Sequence, residues 1–227
     1  MARTLNPATH AVKRDAFIDV GQRLIQTKGY EQFTVQDVLD ELDASKGAFY
    51  HYFGSKLDLL EAVVERMADA VQEQWADPMS RPGLSAQQRL ESVFAITAQW
   101  KNARRDLVLA VLDAWLSDHN AIVREKLRQL VERRMTPLLE AIVAQGVADG
   151  DFSVTDPEST ARVLVGLVQG VQEQAGELFI ARQDGRVDLA GVERIFEAFR
   201  EAFERIVGVP PNTMHFIDRD TLLLWFS

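Results

Sequence analysis

The chain of 227 residues contains no cysteine, which excludes disulfide bonds, zinc fingers, thiolate metal sites and cysteine nucleophiles. It also lacks a long apolar run. Asp113 interrupts the most apolar stretch, residues 107–116, which is well short of the roughly 18 residues that a membrane-spanning helix needs. The N-terminus has no apolar core of the length found in signal peptides. We therefore expect a soluble, cytoplasmic protein.

Sequence patterns of common catalytic sites are missing as well. No G-x-S-x-G, no glycine-rich loop ending in G-K-[ST] and no G-x-G-x-x-G occurs. None of the four histidines follows a glutamate by three residues, so the Glu-x-x-His pair of helical di-iron enzymes is absent. We predict no catalytic residue, no metal and no cofactor. An all-α enzyme remains an alternative, with Asp118 and His119 as its only suggestive pair.

The charge of the chain is acidic but unevenly distributed. The net charge of −9 argues against a surface that binds nucleic acid everywhere. Residues 1–14 nevertheless contain three basic residues and no acidic one, and residues 44–57 contain two lysines and no acidic residue. A local nucleic-acid-binding face near the N-terminus is compatible with this pattern.

The hydrophobic periodicity is helical along almost the whole chain, and no segment alternates as a strand would. We predict an all-α fold with helices at about 12–28, 34–42, 45–52, 55–75, 85–103, 106–116 (largely buried), 120–148 (kinked at Pro137), 156–181 and 187–207. The prolines of segment 77–83 predict a connection there. Thr155 with Glu158 is predicted to cap the helix that begins near Pro157, and residues 208–227 are predicted to form an irregular tail.

The N-terminal helices have the order of a helix-turn-helix unit. Thr34 with Asp37 forms a capping box, Asp43 and Ala44 form a tight turn, and Ser45 caps a second short helix. In such a unit the second helix lies in the major groove of DNA.

The second short helix is predicted to have two different faces. Phe49 and Phe53 are four residues apart and should face inward, which leaves Lys46, Gly47 and Tyr50 on the outer face. A glycine inside a helix costs roughly 1 kcal/mol relative to alanine. Close approach to DNA would be one reason to keep it. The simpler alternative is that all of the aromatic residues belong to the core and that the lysines are solvated surface charges.

Residues 34–60, T-V-Q-D-V-L-D-E-L-D-A-S-K-G-A-F-Y-H-Y-F-G-S-K-L-D-L-L, resemble the DNA-binding signature of the TetR family of bacterial repressors, in a match that runs from about residue 13 to residue 62. The resemblance implies base contacts by Gln36, Lys46, Gly47 and Tyr50, and phosphate contacts by Thr34, His51, Tyr52 and Lys56. Leu39, Leu42, Asp43 and Ala44 depart from the usual family pattern.

The same resemblance implies a ligand-binding and dimerisation domain at residues 56–207, after a DNA-binding domain at residues 1–55 and before a tail at residues 208–227. The predicted helices 156–181 and 187–207 each carry a stripe of apolar residues. Together with the glycines Gly166 and Gly170, these stripes suggest a four-helix dimer interface. The predicted interface residues are Leu164, Leu167, Val171, Ile195, Phe196, Phe199 and Phe203. The alternative is that these stripes pack within one chain.

The predicted ligand-binding residues are of two kinds, apolar residues of the middle helices that would line a cavity and polar residues that could orient a ligand. They are Met67, Phe94, Gln99, Trp100, Trp115, His119, Met135, Gln169, Gln172 and Glu173. Such a lining would suit a hydrophobic or aromatic molecule.

Taken together, these features predict a homodimeric repressor that a small-molecule inducer releases from an inverted-repeat, double-stranded DNA operator. A helical adaptor that binds protein through the apolar tail, residues 222–226, is a second alternative. We expect that tail to dock on the protein itself.

Overall fold

The computed structural model describes residues 7–116 and 121–227, and within these ranges the regular structure is entirely α-helical. The all-α prediction is confirmed. The helices are α1 Pro7–Lys28, α2 Val35–Leu42, α3 Lys46–Tyr52, α4 Lys56–Ser80, α5 Ala86–Asn102, α6 Arg105–Leu116, α7 Ala121–Asp149, α8 Pro157–Gln183, α9 Leu189–Val207 and α10 Arg219–Phe226. Across this described part of the chain, no helix is both long and apolar enough to span a membrane.

The chain forms two compact units. Unit 1 comprises Met1–Asp69 and Arg104–Leu127, and unit 2 comprises Ala70–Ala103 and Arg128–Ser227. Helix α4 therefore contributes residues to both units. The predicted functional domains, 1–55, 56–207 and 208–227, stay a prediction because these units are defined by packing and not by activity.

Unit 1 is built on α1, which packs against α2 and α6. Its core contains Phe17, Ile25, Phe33 and Leu59, all at most 4% exposed. At Gly21 an added Cβ would lie 2.9 Å from the Leu59 side chain, so this glycine allows α1 and α4 to approach closely.

Unit 2 is built on α8 and α9, which pack along each other. Phe94 of α5 lies at the centre of an aromatic cluster, with ring centroids 4.5–6.2 Å from those of Phe199, Phe203 and Phe216. Such edge and tilted ring pairs stabilise a core beyond the area that they bury.

The prediction of an irregular tail is wrong, because residues 219–226 form helix α10. Asp218 caps this helix by accepting a hydrogen bond from the Thr221 amide at 2.6 Å. Leu222 and Phe226 are buried against Val192 of α9. The capping aspartate was visible in the sequence, but the apolar partners that hold so short a helix are contributed by distant elements.

Two predicted helix boundaries also need correction. Helix α4 continues through Pro78 to Ser80. The carbonyl groups of its last turn accept hydrogen bonds from the Arg89 guanidinium, so the proline removes only one bond near the helix end. Helix α8 is capped by Asp156 and not by Thr155, because the Asp156 carboxylate accepts from the amides of Glu158 and Ser159.

Helix α6 is less buried than predicted. Only Leu107 and Ala114 are fully buried among its residues 105–115, and most of the others are half-buried.

Candidate nucleic-acid interface

Helix α2 begins at the predicted capping box. The Thr34 hydroxyl accepts from the Asp37 amide at 3.2 Å, and the Asp37 carboxylate accepts from the Thr34 amide at 2.7 Å. Lys28 of α1 donates to the same carboxylate at 2.8 Å. The Lys28 ammonium, together with the Thr34 amide and hydroxyl, lowers the pKa of Asp37 to about 2. The start of α2 is thereby fixed to the end of α1.

The turn between α2 and α3 is formed without a glycine. Asp43 adopts a left-handed conformation with φ of 48°, which aspartate tolerates better than most residues. The Ala44 amide donates to the carbonyl of Leu39 at 3.0 Å, and the Ser45 hydroxyl accepts from the Ala48 amide at 3.2 Å. These bonds orient α3 relative to α2.

Helix α3 has the two faces that the sequence predicts. Phe49 is fully buried, and its ring contacts those of Phe17 and Phe53 at centroid distances of 5.8 and 5.6 Å. Lys46 and Tyr50 are exposed on the outside, Tyr50 by 56%. The helix is held by its inner face, so its outer face is available to a ligand.

Gly47 lies in open space on the exposed side of α3. A Cβ added there would have the Ser45 Oγ at 3.8 Å as its nearest neighbour, which is ordinary contact. Internal packing therefore does not require a glycine at this position. An external surface that approaches the helix backbone would explain it.

Gln36 and Thr34 lie exposed at the start of α2. The Gln36 amide donates to the Asp40 carboxylate at 2.7 Å, a contact between exposed groups that a base edge could replace. The Thr34 hydroxyl is engaged in the capping box.

Tyr52 and His51, at the end of α3, form a ring cluster with His10 of α1. The His10 centroid lies 4.6 Å from that of Tyr52 and 5.4 Å from that of His51. His10 is absent from the predicted interface. The signal that could have indicated it is its position in the acid-free segment 1–14.

Lys56 has a structural role that sequence reasoning missed. Its ammonium donates to the carbonyl oxygens of Tyr30 at 2.8 Å and Phe33 at 3.0 Å, and it lies over both aromatic rings. Burial lowers the pKa of Lys56, while the nearby Glu31 carboxylate opposes this shift. Lys56 therefore fixes the loop between α1 and α2 to the start of α4. Its predicted contact with a DNA phosphate stays a prediction.

The predicted ligand-binding residues are distributed over both compact units. Met67 and Trp115 lie in unit 1, seven others lie in unit 2, and His119 lies outside the described residues. Phe94 is part of the aromatic cluster, and the Gln169 side chain donates to the carbonyl of Arg128 at 2.8 Å. Trp100 and Met135 are buried, Gln172 is half-buried, and Gln99 and Glu173 are exposed.

Unit 2 contains a surface groove of about 330 Å³ between α9 and the segment that leads into α10. None of the predicted ligand-binding residues lines this groove, whereas Phe196 and Phe199 from the predicted dimer interface do.

The predicted dimer residues divide into two groups by burial. Leu164, Phe199 and Phe203 are at most 5% exposed within the single chain. They belong to the core of unit 2, which leaves them little surface for a partner. Leu167, Val171, Ile195 and Phe196 are half-buried.

Two family models match this chain. The model described as "Bacterial regulatory proteins, tetR family" matches residues 17–63, and a model described as "Tetracyclin repressor-like, C-terminal domain" matches residues 83–173. Together they cover more than half of the sequence. The first match contains α2, α3 and the start of α4, and all eight predicted DNA-binding residues lie within it.

Individual relatives agree with these models. The HTH-type transcriptional regulator YfiR of Bacillus subtilis is 23% identical over 180 residues, which cover 73% of this chain and 82% of YfiR. The HTH-type transcriptional repressor KstR2 of Mycolicibacterium smegmatis is 25% identical over 148 residues, which cover 64% of this chain and 70% of KstR2. The crystal structure of RolR without ligand has the same fold, with a TM-score of 0.61 and 14% identity over 92% of this chain and 95% of RolR.

Proposed function

The chain belongs to the tetR family of bacterial regulatory proteins, and on this basis we propose that it is a homodimeric repressor that a small molecule releases from DNA. Its family makes it a DNA-binding transcriptional regulator and not an enzyme. Repression is supported by the relative KstR2, which is named as a repressor. A regulator of this kind acts on chromosomal DNA, so we place it in the cytoplasm.

One observation carries the DNA-binding role, namely the division of α3 into a fixed inner face and a free outer face. Phe49 holds the helix, while Lys46, Gly47 and Tyr50 are exposed and side by side. Lysine at the start of a recognition helix can donate to guanine in the major groove. Gln36, Thr34, His51, Tyr52 and Lys56 complete the proposed interface.

A dimer is supported by the outward face of α8. Val163 is 58% exposed there, and an added Cβ at Gly166 or Gly170 would meet nothing within 4 Å. A second helix could therefore approach this face closely, and the half-buried Leu167 and Val171 lie beside it. Two DNA-binding units in a symmetric dimer would occupy major grooves about 34 Å apart, so the operator should be an inverted repeat.

Release by a ligand requires coupling between ligand binding and DNA binding. Helix α4 begins at Lys56, next to the proposed DNA-binding segment, and continues into unit 2. A ligand that displaces α4 would alter the position of the DNA-binding helices, with a coupling free energy of about 1–3 kcal/mol. The apolar character of the middle helices favours a hydrophobic or aromatic inducer.

The experiment that tests DNA binding is selection of bound sequences from a randomised duplex pool at about 0.15 M salt, where long-range charge attraction is screened. Enrichment of an inverted repeat is expected. Absence of enrichment by the folded, ligand-free protein would overturn the proposal.

The experiment that tests induction is titration of the protein–operator complex with a panel of aromatic and aliphatic compounds. We expect at least one to lower operator affinity by about 5-fold to 150-fold, the range that such coupling produces. Recovery of that compound chemically unchanged would argue against turnover. A compound that binds the protein tightly at saturation and leaves operator affinity unaltered would contradict the coupling.

A further inference from the structure

Two of the four histidines lie together at the proposed DNA-binding surface. The imidazoles of His10 and His51 have centroids 5.4 Å apart in an edge-to-face arrangement. The Tyr52 ring contacts both of them, at 4.6 and 4.9 Å. The three rings join the first turns of α1 to the last turn of α3.

The pair is accessible from solvent on the side of α3 that carries Gly47. His51 is exposed and follows Gly47 by four residues, which places both on one helix face, and His10 is half-buried beside it. Among the residues that the structure describes, neither imidazole pairs with a carboxylate, unlike His215, which lies 3.5 Å from Glu91.

The surroundings of the pair are mainly basic. Within five residues of the two histidines along these helices, the titratable and charged groups are Lys13, Arg14 and Asp15 on α1, and Lys46, Tyr50 and Tyr52 on α3. The Arg14 guanidinium lies over the Phe53 ring at 5.4 Å, which keeps a positive charge close to the end of α3. Positive charges therefore outnumber negative ones close to the pair.

A phosphate group would be attracted to these positive charges. An anion next to an imidazole favours its charged form, and the imidazolium then donates a charge-assisted hydrogen bond to a phosphate oxygen. We propose that His10 and His51 form a proton-linked site for a phosphate of the DNA backbone, so that DNA binding takes up protons near neutral pH. This inference rests on the proposed function, because the phosphate belongs to DNA bound at α3.

The sign of the effect follows from the proton balance. If the complex holds more protons than the separate molecules, DNA affinity rises as the pH falls. Histidine is the side chain that ordinarily titrates between pH 5 and 8, so this range should contain the dependence. Uptake of one proton changes the affinity by at most about tenfold per pH unit, and we expect about fivefold tighter binding at pH 6 than at pH 8.

The test is operator affinity at pH 6 and pH 8 and constant ionic strength, measured for the wild type, His10→Gln/His51→Gln and His215→Gln. Glutamine keeps a polar side chain that does not titrate. His215→Gln is the matched control because His215 is an exposed histidine of unit 2. We expect the pH dependence to be lost in the double variant and kept in the control.

Proton uptake can also be measured without any variant. Wild-type protein is titrated with operator in a calorimeter at pH 7, in buffers of low and high ionisation enthalpy. The binding heats in the two buffers should differ, and this difference divided by the difference in ionisation enthalpy should give an uptake of a fraction of a proton or more. This second measurement decides the matter if the double variant fails to fold.

The outcomes are distinguishable. Operator binding that is independent of pH, an unaltered pH dependence in a folded double variant, or equal binding heats in both buffers would overturn the phosphate site and leave the repressor proposal intact. Failure of the wild type to bind any selected duplex at either pH would instead contradict the proposed function, and the phosphate site with it.

Discussion

Polar side chains have opposite roles in the α2–α3 region and in the C-terminal segment, which comprises α9 and residues 208–227. In the C-terminal segment, Glu204 is 1% exposed, and its carboxylate accepts from the backbone amides of Asn212, Thr213 and Met214 at 2.9–3.1 Å. Arg200 donates to both of its oxygens. On α3, Lys46, Gly47 and Tyr50 face outward. Polar groups that bind each other hold the fold, whereas polar groups turned outward remain available to a ligand.

The comparison is not a simple division between two parts of the chain, because the α2–α3 region contains both kinds of group. Lys56 and Asp37 are bound by neighbouring backbone and side-chain atoms, as Glu204 is. Lys46 and Lys56 are both lysines of the family signature, but only Lys56 is used to fix a loop. Residue type alone therefore does not separate a DNA contact from a structural contact.

The largest effect is expected for Glu204→Gln. Burial alone would raise the pKa of Glu204, but the amides of Met214 and Asn212 and the Arg200 guanidinium keep it below its ordinary value. Glutamine keeps one acceptor oxygen but replaces the other with an NH2 group that faces donors, and it removes the charge that pairs with Arg200, so the free energy of unfolding should fall by about 2–4 kcal/mol. Chemical denaturation measures this loss.

The matched control is Glu201→Gln, an exposed carboxylate of the same helix that pairs with Arg205. Its effect should stay below about 0.5 kcal/mol. Equal effects of the two substitutions would contradict the role given to Glu204.

Lys56→Met should have the next largest effect. Methionine keeps the aliphatic stem over Tyr30 and Phe33 but loses the two hydrogen bonds to their carbonyl groups, so the stability should fall by about 1–3 kcal/mol. Lys13→Met, at an exposed lysine of α1, should alter stability little. If the Lys56→Met protein were as stable as wild type but bound DNA more weakly, the structural role of Lys56 would be contradicted and only its contact with DNA would remain.

Gly47→Ala separates folding from DNA binding at a single position. Alanine favours the helix and meets no close neighbour, so the stability should rise by about 0.5–1 kcal/mol. Operator affinity should fall, because the added methyl group lies where DNA is proposed to approach. Thermal unfolding and operator titration measure the two effects, and a gain in both would contradict close approach at Gly47.

The smallest effect concerns acid stability at Asp37. The folded pKa of Asp37, about 2, is below the ordinary value of 3.8, so its stabilising contribution is present above pH 4 and is lost as the pH falls toward 2. The difference in melting temperature between wild type and Asp37→Asn should therefore shrink over this range. A constant difference from pH 6 to pH 2 would contradict the capping interaction.

Sequence reasoning predicted best what depends on neighbouring residues. The capping box at Thr34 and the cap at Ser45 occur as predicted, because each needs only residues three positions apart. The two faces of α3 follow from helical spacing alone. The Pro78 boundary was wrong because the compensating donor, Arg89, lies in the next helix.

Contacts between distant residues were beyond the same reasoning. Lys56 lies 26 residues from Tyr30, Glu204 binds a segment beyond the helix end, and α10 depends on Val192 of α9. A carboxylate or ammonium in a helix carries no local sign of which remote carbonyl or amide it will bind. The predicted ligand-binding residues share this difficulty and stay a prediction.

The central claim is that the outer face of α3 reads DNA, and the most direct test compares sequence selection by wild type, Lys46→Ala and Arg205→Ala. All three should enrich an inverted repeat, and Lys46→Ala alone should lose preference at one base pair of each half-site, by about 1–2 kcal/mol. Arg205 is an exposed cation of unit 2 and serves as the control. Identical base preferences for Lys46→Ala and wild type, or no enrichment by any of the three proteins, would contradict the claim.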